Sequence, residues 1–413
     1  MTRPVLGRRR FVLAGASLVA SAFALSACGT RTPESDSGTS GGAPAGRKVA
    51  KIGVLVPLSG GLSSTGAGVR NSVELAVREA NDRADLHGWT LEVITEDDRA
   101  DADTGRRAAT QLTRDAEVVA VIGPLNSSVG QVVQPVVSQA GMALVSPANT
   151  NPTLTRGADS ANPSRVYDNY FRTCPPDHLQ ARFAASQLLE QGIDTVATIH
   201  DKKVYGNGLV TAFTTAFTTG GGKVVAAQTI NPDDRDFSVV VSKVKEGQPK
   251  AVFFGGEYPV AGPLSQQLKG AGVTVPLMGG DGIFDPRFIE LAGPNAKGDR
   301  AVSIGAPQDR LASAKGFLEA YRKAGFREDP SPYGPYAYDA ANAVITALRV
   351  ALADAVDVGS ARKPTIEELS NIEFDGATGQ VSFDQYGDPT LRVLTAYKVD
   401  NGAWAAITTE EFS

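Results

Sequence analysis

Residues 118–130 read VVAVIGPLNSSVG and residues 144–150 read LVSPANT. Each is an apolar run that stops at a proline and opens onto small hydroxyl or amide side chains, Ser127 and Ser128 in the first and Ser146, Asn149 and Thr150 in the second. These groups supply hydrogen-bond donors but no acid, base or nucleophile pair, so the chemistry open to them is non-covalent capture of a small anion. A helix starting near Ser127 or Ser128 would add unpaired backbone N–H groups and a partial positive charge. Two such loops side by side could hold a carboxylate without any arginine or lysine. Ser and Thr also serve simply as helix caps, and the local residues leave both roles open.

Other chemistries are poorly supplied. The chain has no H-E-x-x-H and no GxxxxGK[ST], so neither a zinc protease nor an ATP-binding loop is expected. Two cysteines, Cys28 and Cys174, and three histidines, His87, His178 and His200, make a structural zinc site unfavourable. Gly66-Ala67-Gly68 follows a loop and does not read as a dinucleotide site. The expectation is a protein that is no enzyme and needs neither cofactor nor metal.

The elements that would position these loops alternate along the chain. Strand-like runs occur at 51–56, 91–95, 118–122, 142–145, 195–200, 223–229, 251–254 and 277–279, with helical runs between them. Val69, Val73, Ala76, Val77 and Ala80 place one apolar stripe on a helix over 67–80. Helical spacing recurs at 179–190, 208–219 and 263–271. Short apolar strands without polar alternation, separated by helices, predict parallel sheets covered on both faces. The strands are too numerous for one sheet of ordinary width, so two α/β lobes are expected. The loop GPLNSS then sits at the carboxyl end of a parallel strand, where open α/β sheets bind ligands.

Composition agrees with an exported, soluble body. The chain has 413 residues, 42% apolar content and a formal charge of −5, which excludes a nucleic-acid-binding surface. Residues 1–27 carry four arginines and no acid and then the apolar stretch FVLAGASLVASAFALSA, too short for a comfortable membrane span. Removing them takes the formal charge to −9. The stretch ends at Leu25-Ser26-Ala27-Cys28, which resembles a bacterial lipobox, so Cys28 is the expected lipidation site. Arg8-Arg9-Arg10-Phe11-Val12 resembles a twin-arginine signal, with the general secretory route as the alternative. Gly29–Gly46, GTRTPESDSGTSGGAPAG, is a tether with a root-mean-square span of roughly 23 Å. A lipid on Cys28 would anchor the protein to the membrane without spanning it. The expected location is the outer face of the cytoplasmic membrane or the periplasm.

From about Val49 to Phe412 the sequence resembles the type I periplasmic substrate-binding proteins, specifically the leucine/isoleucine/valine-binding proteins of ABC transporters. The resemblance is carried by KIGVLVPLSGGLSSTGAGVRNSVELAVREAN at 51–81, VIGPLNSS at 121–128, SPANTNPTLT at 146–155, FRTCPPDHLQA at 171–181, IHDKKVYGNGL at 199–209, FFGGEYPVAGPLSQQLK at 253–269 and LMGGDGIFDPRFIELAG at 277–293. It implies two Rossmann-like lobes with parallel central sheets, joined by a hinge of three crossovers and closing like a Venus flytrap. The crossings fall near 174–177, 304–306 and 385–391. The N-terminal lobe is then 48–175 plus 305–386 and the C-terminal lobe 176–304 plus 387–413, after the signal at 1–27 and the lipidated tether at 28–47.

The resemblance also implies an amino acid in the cleft. Ser127 and the loop of Ala148 and Thr150 match positions that hold its carboxylate, Asp281 in GGDG matches the acid that pairs with its ammonium, and Tyr205 completes the polar ring. An Asp beside Gly is otherwise a turn residue. Glu257 stands where the family has an aromatic residue, with Tyr258 next to it. Either Tyr258 supplies the aromatic wall or Glu257 enters the cleft and alters the preference. Thr65 replaces an aromatic cover, and Tyr333 aligns with the side-chain pocket. The implied function is delivery of an amino acid, above all Leu, Ile or Val, to a permease with separate ATPase subunits, by a monomer. The alternative is a sensor for short amides or similar amino-acid-like solutes.

Overall fold

The computed structural model describes residues 48–412. The export signal, the lipidation site at Cys28 and the tether lie outside the described residues. Among those described, no helix is long and apolar enough to cross a membrane.

The first sheet is built from β1 (Lys48–Val56), β2 (Trp89–Asp97), β3 (Val118–Ile122), β4 (Ala143–Ser146) and β5 (Tyr170–Arg172). The strands are all parallel and run in the order β2-β1-β3-β4-β5. The second sheet contains β6 (Thr195–His200), β7 (Lys223–Thr229), β8 (Ala251–Gly255), β9 (Leu277–Gly279) and β10 (Arg300–Ile304). A short antiparallel ribbon, β11 (Phe374–Gly376) with β12 (Gly379–Val381), precedes β13 (Val393–Asp400) and β14 (Ala403–Glu411). The second sheet has the order β14-β13-β10-β9-β8-β6-β7. The fold is therefore α/β with two parallel-sheet lobes, that of a type I periplasmic binding protein.

The second sheet is not parallel throughout. β13 pairs antiparallel with β10, and β14 antiparallel with β13. The reason is burial: β14 alternates exposed and half-buried residues as an open edge, whereas β3 and β8 are buried along their whole length. An antiparallel edge strand tolerates one wet face, and a central parallel strand does not.

In both sheets the order reverses beside the first strand, β1 or β6, and the connections leave on opposite faces. The helix Ser63–Arg83 after β1 packs with the helix Gly334–Ala351, through Val69, Val73, Ala340 and Val344. The helix Ser127–Gln139 after β3 packs on the other face, through Val129, Val133 and Val137 against Ala108 and Leu112. In the second sheet the helix Val204–Thr219 after β6 joins a core with Phe183, Phe213 and Phe253, while the helix Tyr258–Gly270 after β8 joins Val241, Val244 and Phe288. Each divergence opens a crevice at the strand ends, between β1 and β3 in one lobe and between β6 and β8 in the other.

Asp98, just past β2, is fully buried and its Oδ2 has no hydrogen-bond partner. Burial pushes its pKa up to about 7. A folded pKa above the unfolded value favours folding below about pH 4, and that contribution is lost as pH rises through 7. Asp98→Asn is therefore expected to raise stability by about 1–3 kcal/mol at pH 8, with the gap closing towards pH 4. Thermal melts of both proteins across that range check this, and a gap independent of pH would exclude a charged Asp98.

Candidate ligand-binding site

The two crevices face each other, and the loops at their mouths meet around one cavity. Its wall includes Thr65, Ser127, Ala148, Thr150, Tyr205, Glu257, Tyr258, Asp281 and Tyr333. Every cleft residue named from the sequence is thus brought to one place. Leu62 and Thr65 follow β1, Ser127 follows β3, and Ala148 and Thr150 follow β4. From the other lobe come Tyr205 after β6, Glu257 and Tyr258 after β8, and Asp281 after β9.

Asp281 is the electrostatic centre. It is 3% exposed and accepts hydrogen bonds from Gln180 Nε2 at 3.1 Å, Tyr205 Oη at 2.9 Å and Tyr333 Oη at 3.0 Å. Burial raises its pKa, and these three donors offset part of the rise. No lysine or arginine ion pair reaches it among the described residues. Asp177 lies behind it, fully buried, with Gln180 Nε2 3.4 Å from its Oδ1. Burial, and then the charge of Asp281, push the Asp177 pKa well up. Two buried acids with no ion-pair partner among the described residues make a site that gains strongly from an incoming ammonium.

The local sequence explains the approach. A Cβ at Gly280 would sit 2.8 Å from the Tyr205 hydroxyl, and one at Gly282 would sit 2.8 Å from the Gly256 carbonyl oxygen. Glycine on both sides of Asp281 is what lets the Tyr205 ring close on it.

The opposite wall is uncharged. Ser127 begins its helix, and its Oγ accepts from Asn151 N at 3.4 Å. Ser146 Oγ donates to Pro124 O at 2.7 Å and accepts from Asn149 N at 2.9 Å, which ties the β3 and β4 loops together. Thr65 Oγ1, Asn126 Oδ1 and Thr150 Oγ1 are buried without a hydrogen-bond partner of good geometry. Buried polar atoms are costly when unpaired, so this wall is poised for a polar ligand. A helix start and free hydroxyls favour an anion.

The lobes touch across the cleft, so the cavity is closed. Val204 N donates to Ser128 Oγ at 3.2 Å, Tyr258 Oη donates to Gly61 O at 2.7 Å, and Asn126 Nδ2 donates to Glu257 Oε1 at 2.7 Å. Glu257 also pairs with Lys203 Nζ at 3.1 Å, and the charge of Glu257 is the main reason the Lys203 pKa rises. Both alternatives left by the sequence are therefore present together: Tyr258 walls the cavity, and Glu257 lines it with its carboxylate already engaged by Asn126 and Lys203. Burial, and then Glu257, push nearby Asp201 up to about 7.

Sequence reasoning missed Asn126, Gln180, Asp177 and Phe284. Asn126 stands directly before Ser127 at the strand end, a position that could have been read as part of the cup. Asp177 and Gln180 are three apart at the start of the helix Asp177–Leu189 and share its face, but nothing local said that this face meets β9. Cys174 is a buried free thiol whose pKa burial drives upward, which makes it inert. Among the described residues, no group of three His, Cys, Asp or Glu side chains could hold a metal ion.

Two Rossmann-like lobes closed over a polar cavity define a binding protein. The sequence pattern of the periplasmic binding protein family matches residues 49–403, and the chain belongs to that family of extracytoplasmic, non-enzymatic binding proteins. Among its relatives is Leu/Ile/Val-binding protein homolog 2 of Brucella abortus, 30% identical over 353 residues, covering 85% of this chain and 90% of that one. The leucine-binding protein LivK of Thermotoga maritima has a TM-score of 0.76 at 26% identity, covering 87% of this chain and 98% of that one. The branched-chain amino acid transporter substrate-binding protein LivJ of Streptococcus pneumoniae, solved with isoleucine, has a TM-score of 0.76 at 27% identity, covering 88% and 99%.

Proposed function

We propose that this chain is the solute-binding component of an ABC transporter, and that it captures an amino acid, above all Leu, Ile or Val, in the cleft between its lobes. The observation that carries this reading is the polarity of the cavity. A buried carboxylate, Asp281, fed by Gln180, Tyr205 and Tyr333, faces a cup of hydroxyls and a helix start at Ser127 and Thr150. These are complements of the ammonium and carboxylate of one zwitterion. The relatives named for leucine, isoleucine and valine support the same class of ligand.

The hinge is proposed near 174–177, 304–306 and 385–391, with lobes 48–175 plus 305–386 and 176–304 plus 387–413. A ligand touching both lobes favours the closed form by its differential affinity. A permease with separate ATPase subunits would recognise that shape. The protein acts as a monomer, held by a lipid on Cys28 after secretory or twin-arginine export.

Isothermal calorimetry on unfolded and refolded protein, against the twenty amino acids and short amides, tests the reading. Micromolar or tighter binding of branched aliphatic amino acids is expected. Binding of short amides alone would replace it with the sensor reading, in which Glu257 sets the preference. Ser127→Ala is expected to weaken amino-acid binding by about 1–2 kcal/mol, as the loss of one hydrogen bond to a charged group. An unchanged enthalpy and affinity would put the carboxylate elsewhere.

A further inference from the structure

Beyond Thr65 the cleft borders a larger chamber. Thr65, Phe284 and Asp285 belong to both walls. The partition therefore includes a small side chain, Thr65, whose hydroxyl is buried without a partner of good geometry.

The chamber has a distinct chemistry. Tyr336, Tyr397 and Trp404 line it, and Phe284 lies against two of these rings, with centroids 4.2 Å from Tyr397 and 5.6 Å from Trp404. Four of its lining residues are acids, Asp285 at the partition and Glu290, Asp309 and Asp329 further out, against a single cation, Arg287. Asp285 caps the helix Pro286–Ala292 by accepting from Arg287 N at 2.8 Å. Burial raises its pKa, and nearby Arg287 offsets part of the rise. Aromatic faces and carboxylates attract the same kind of group. A cation is drawn to the ring quadrupole and to the acids alike, and a planar guanidinium can stack on the one while donating to the other.

We propose that the cleft also takes α-amino acids with long, positively charged side chains, their head group in the Ser127–Asp281 grip and their cationic end past Thr65, beside Asp285 and the Phe284–Tyr397–Trp404 rings. This rests on the amino-acid reading above and extends it to a second class of side chain. A closed apolar pocket shaped for leucine would reject such a ligand, because it would strand a charge without water or a partner.

The test is calorimetry with L-leucine and L-arginine on the full chain in detergent, and on the triple variant Glu290→Lys, Asp309→Lys, Asp329→Lys. These three positions are exposed, so the variant is expected to fold. L-arginine is expected to bind within tenfold of L-leucine, and the variant to weaken arginine at least tenfold while leaving leucine within twofold. Leucine binding without arginine binding, or arginine binding indifferent to the three lysines, overturns the extension and leaves the amino-acid reading standing. Failure of both ligands to bind overturns the two together.

Discussion

Asp281→Ala is expected to weaken amino-acid binding by about 2–5 kcal/mol, because it leaves a buried ammonium without its counter-charge. The size follows from the surroundings of Asp281. Asp281 is 3% exposed and no ion pair reaches it among the described residues, so the ligand ammonium supplies a close positive charge that these residues do not. Tyr205 and Tyr333, whose hydroxyls point at it, would lose their acceptor in the variant. Asp281→Asn keeps the shape and an acceptor but removes the charge, and is expected to fall between the two. Calorimetry on the wild type and both variants separates these terms. Equal affinity in all three would remove Asp281 from the site.

Arg172→Met is expected to destabilise the fold by about 3–5 kcal/mol, since it leaves the buried Asp388 with Arg156 as its one ion-pair partner among the described residues and strips the donor from two backbone carbonyls and a threonine hydroxyl. Arg172 is fully buried and donates through Nε to Asp388 Oδ1 at 2.7 Å. Its other nitrogens hold Asn149 O at 2.8 Å, Asn151 O at 2.9 Å and Thr155 Oγ1 at 2.8 Å. One side chain thus fixes the loop bearing Thr150 and the segment between β12 and β13. Burial alone would raise the Asp388 pKa, but Arg172 and Arg156 hold it down to about 2. A depressed folded pKa gives stability that is present above about pH 4 and lost as pH falls towards 2. Denaturant titration should show the variant's deficit at pH 7 shrinking in acid. The double variant Arg172→Met, Asp388→Leu should recover part of the loss, because an apolar pair can replace a buried ion pair. A deficit below 1 kcal/mol, or one insensitive to pH, would make the pair structurally idle. Thr150 also makes a second readout available: amino-acid affinity should fall in Arg172→Met even where the protein remains folded.

Much of the architecture was legible in the chain. β3, β6, β7 and β9 occupy the residues read as strands; β3, β6 and β9 are central parallel strands, short apolar runs bounded by turn residues, and β7 is an edge strand with no buried residue. The helix expected at 67–80 extends over 63–83, with its ends set by packing rather than by periodicity. β5, β10 and the β13–β14 edge were not read. β5 is three residues long, and the exposed edge β14 alternates, with β13 joined antiparallel to β10.

The cleft divides the same way. Sequence alone determined the kind of chemistry: hydroxyls at two strand ends, an acid between glycines, and no reactive pair to do covalent work. Local residue types settle that, because donors, acceptors and turn residues keep their character wherever the chain goes. Tertiary structure alone decided which groups stand together. It placed Gln180 and Asp177 behind Asp281, tied Glu257 to Asn126 and Lys203 across the lobes, and set Arg172 beneath the Thr150 loop. Those partners lie up to 131 residues apart, and a contact between distant segments is fixed by sheet order and helix packing, which no local pattern records.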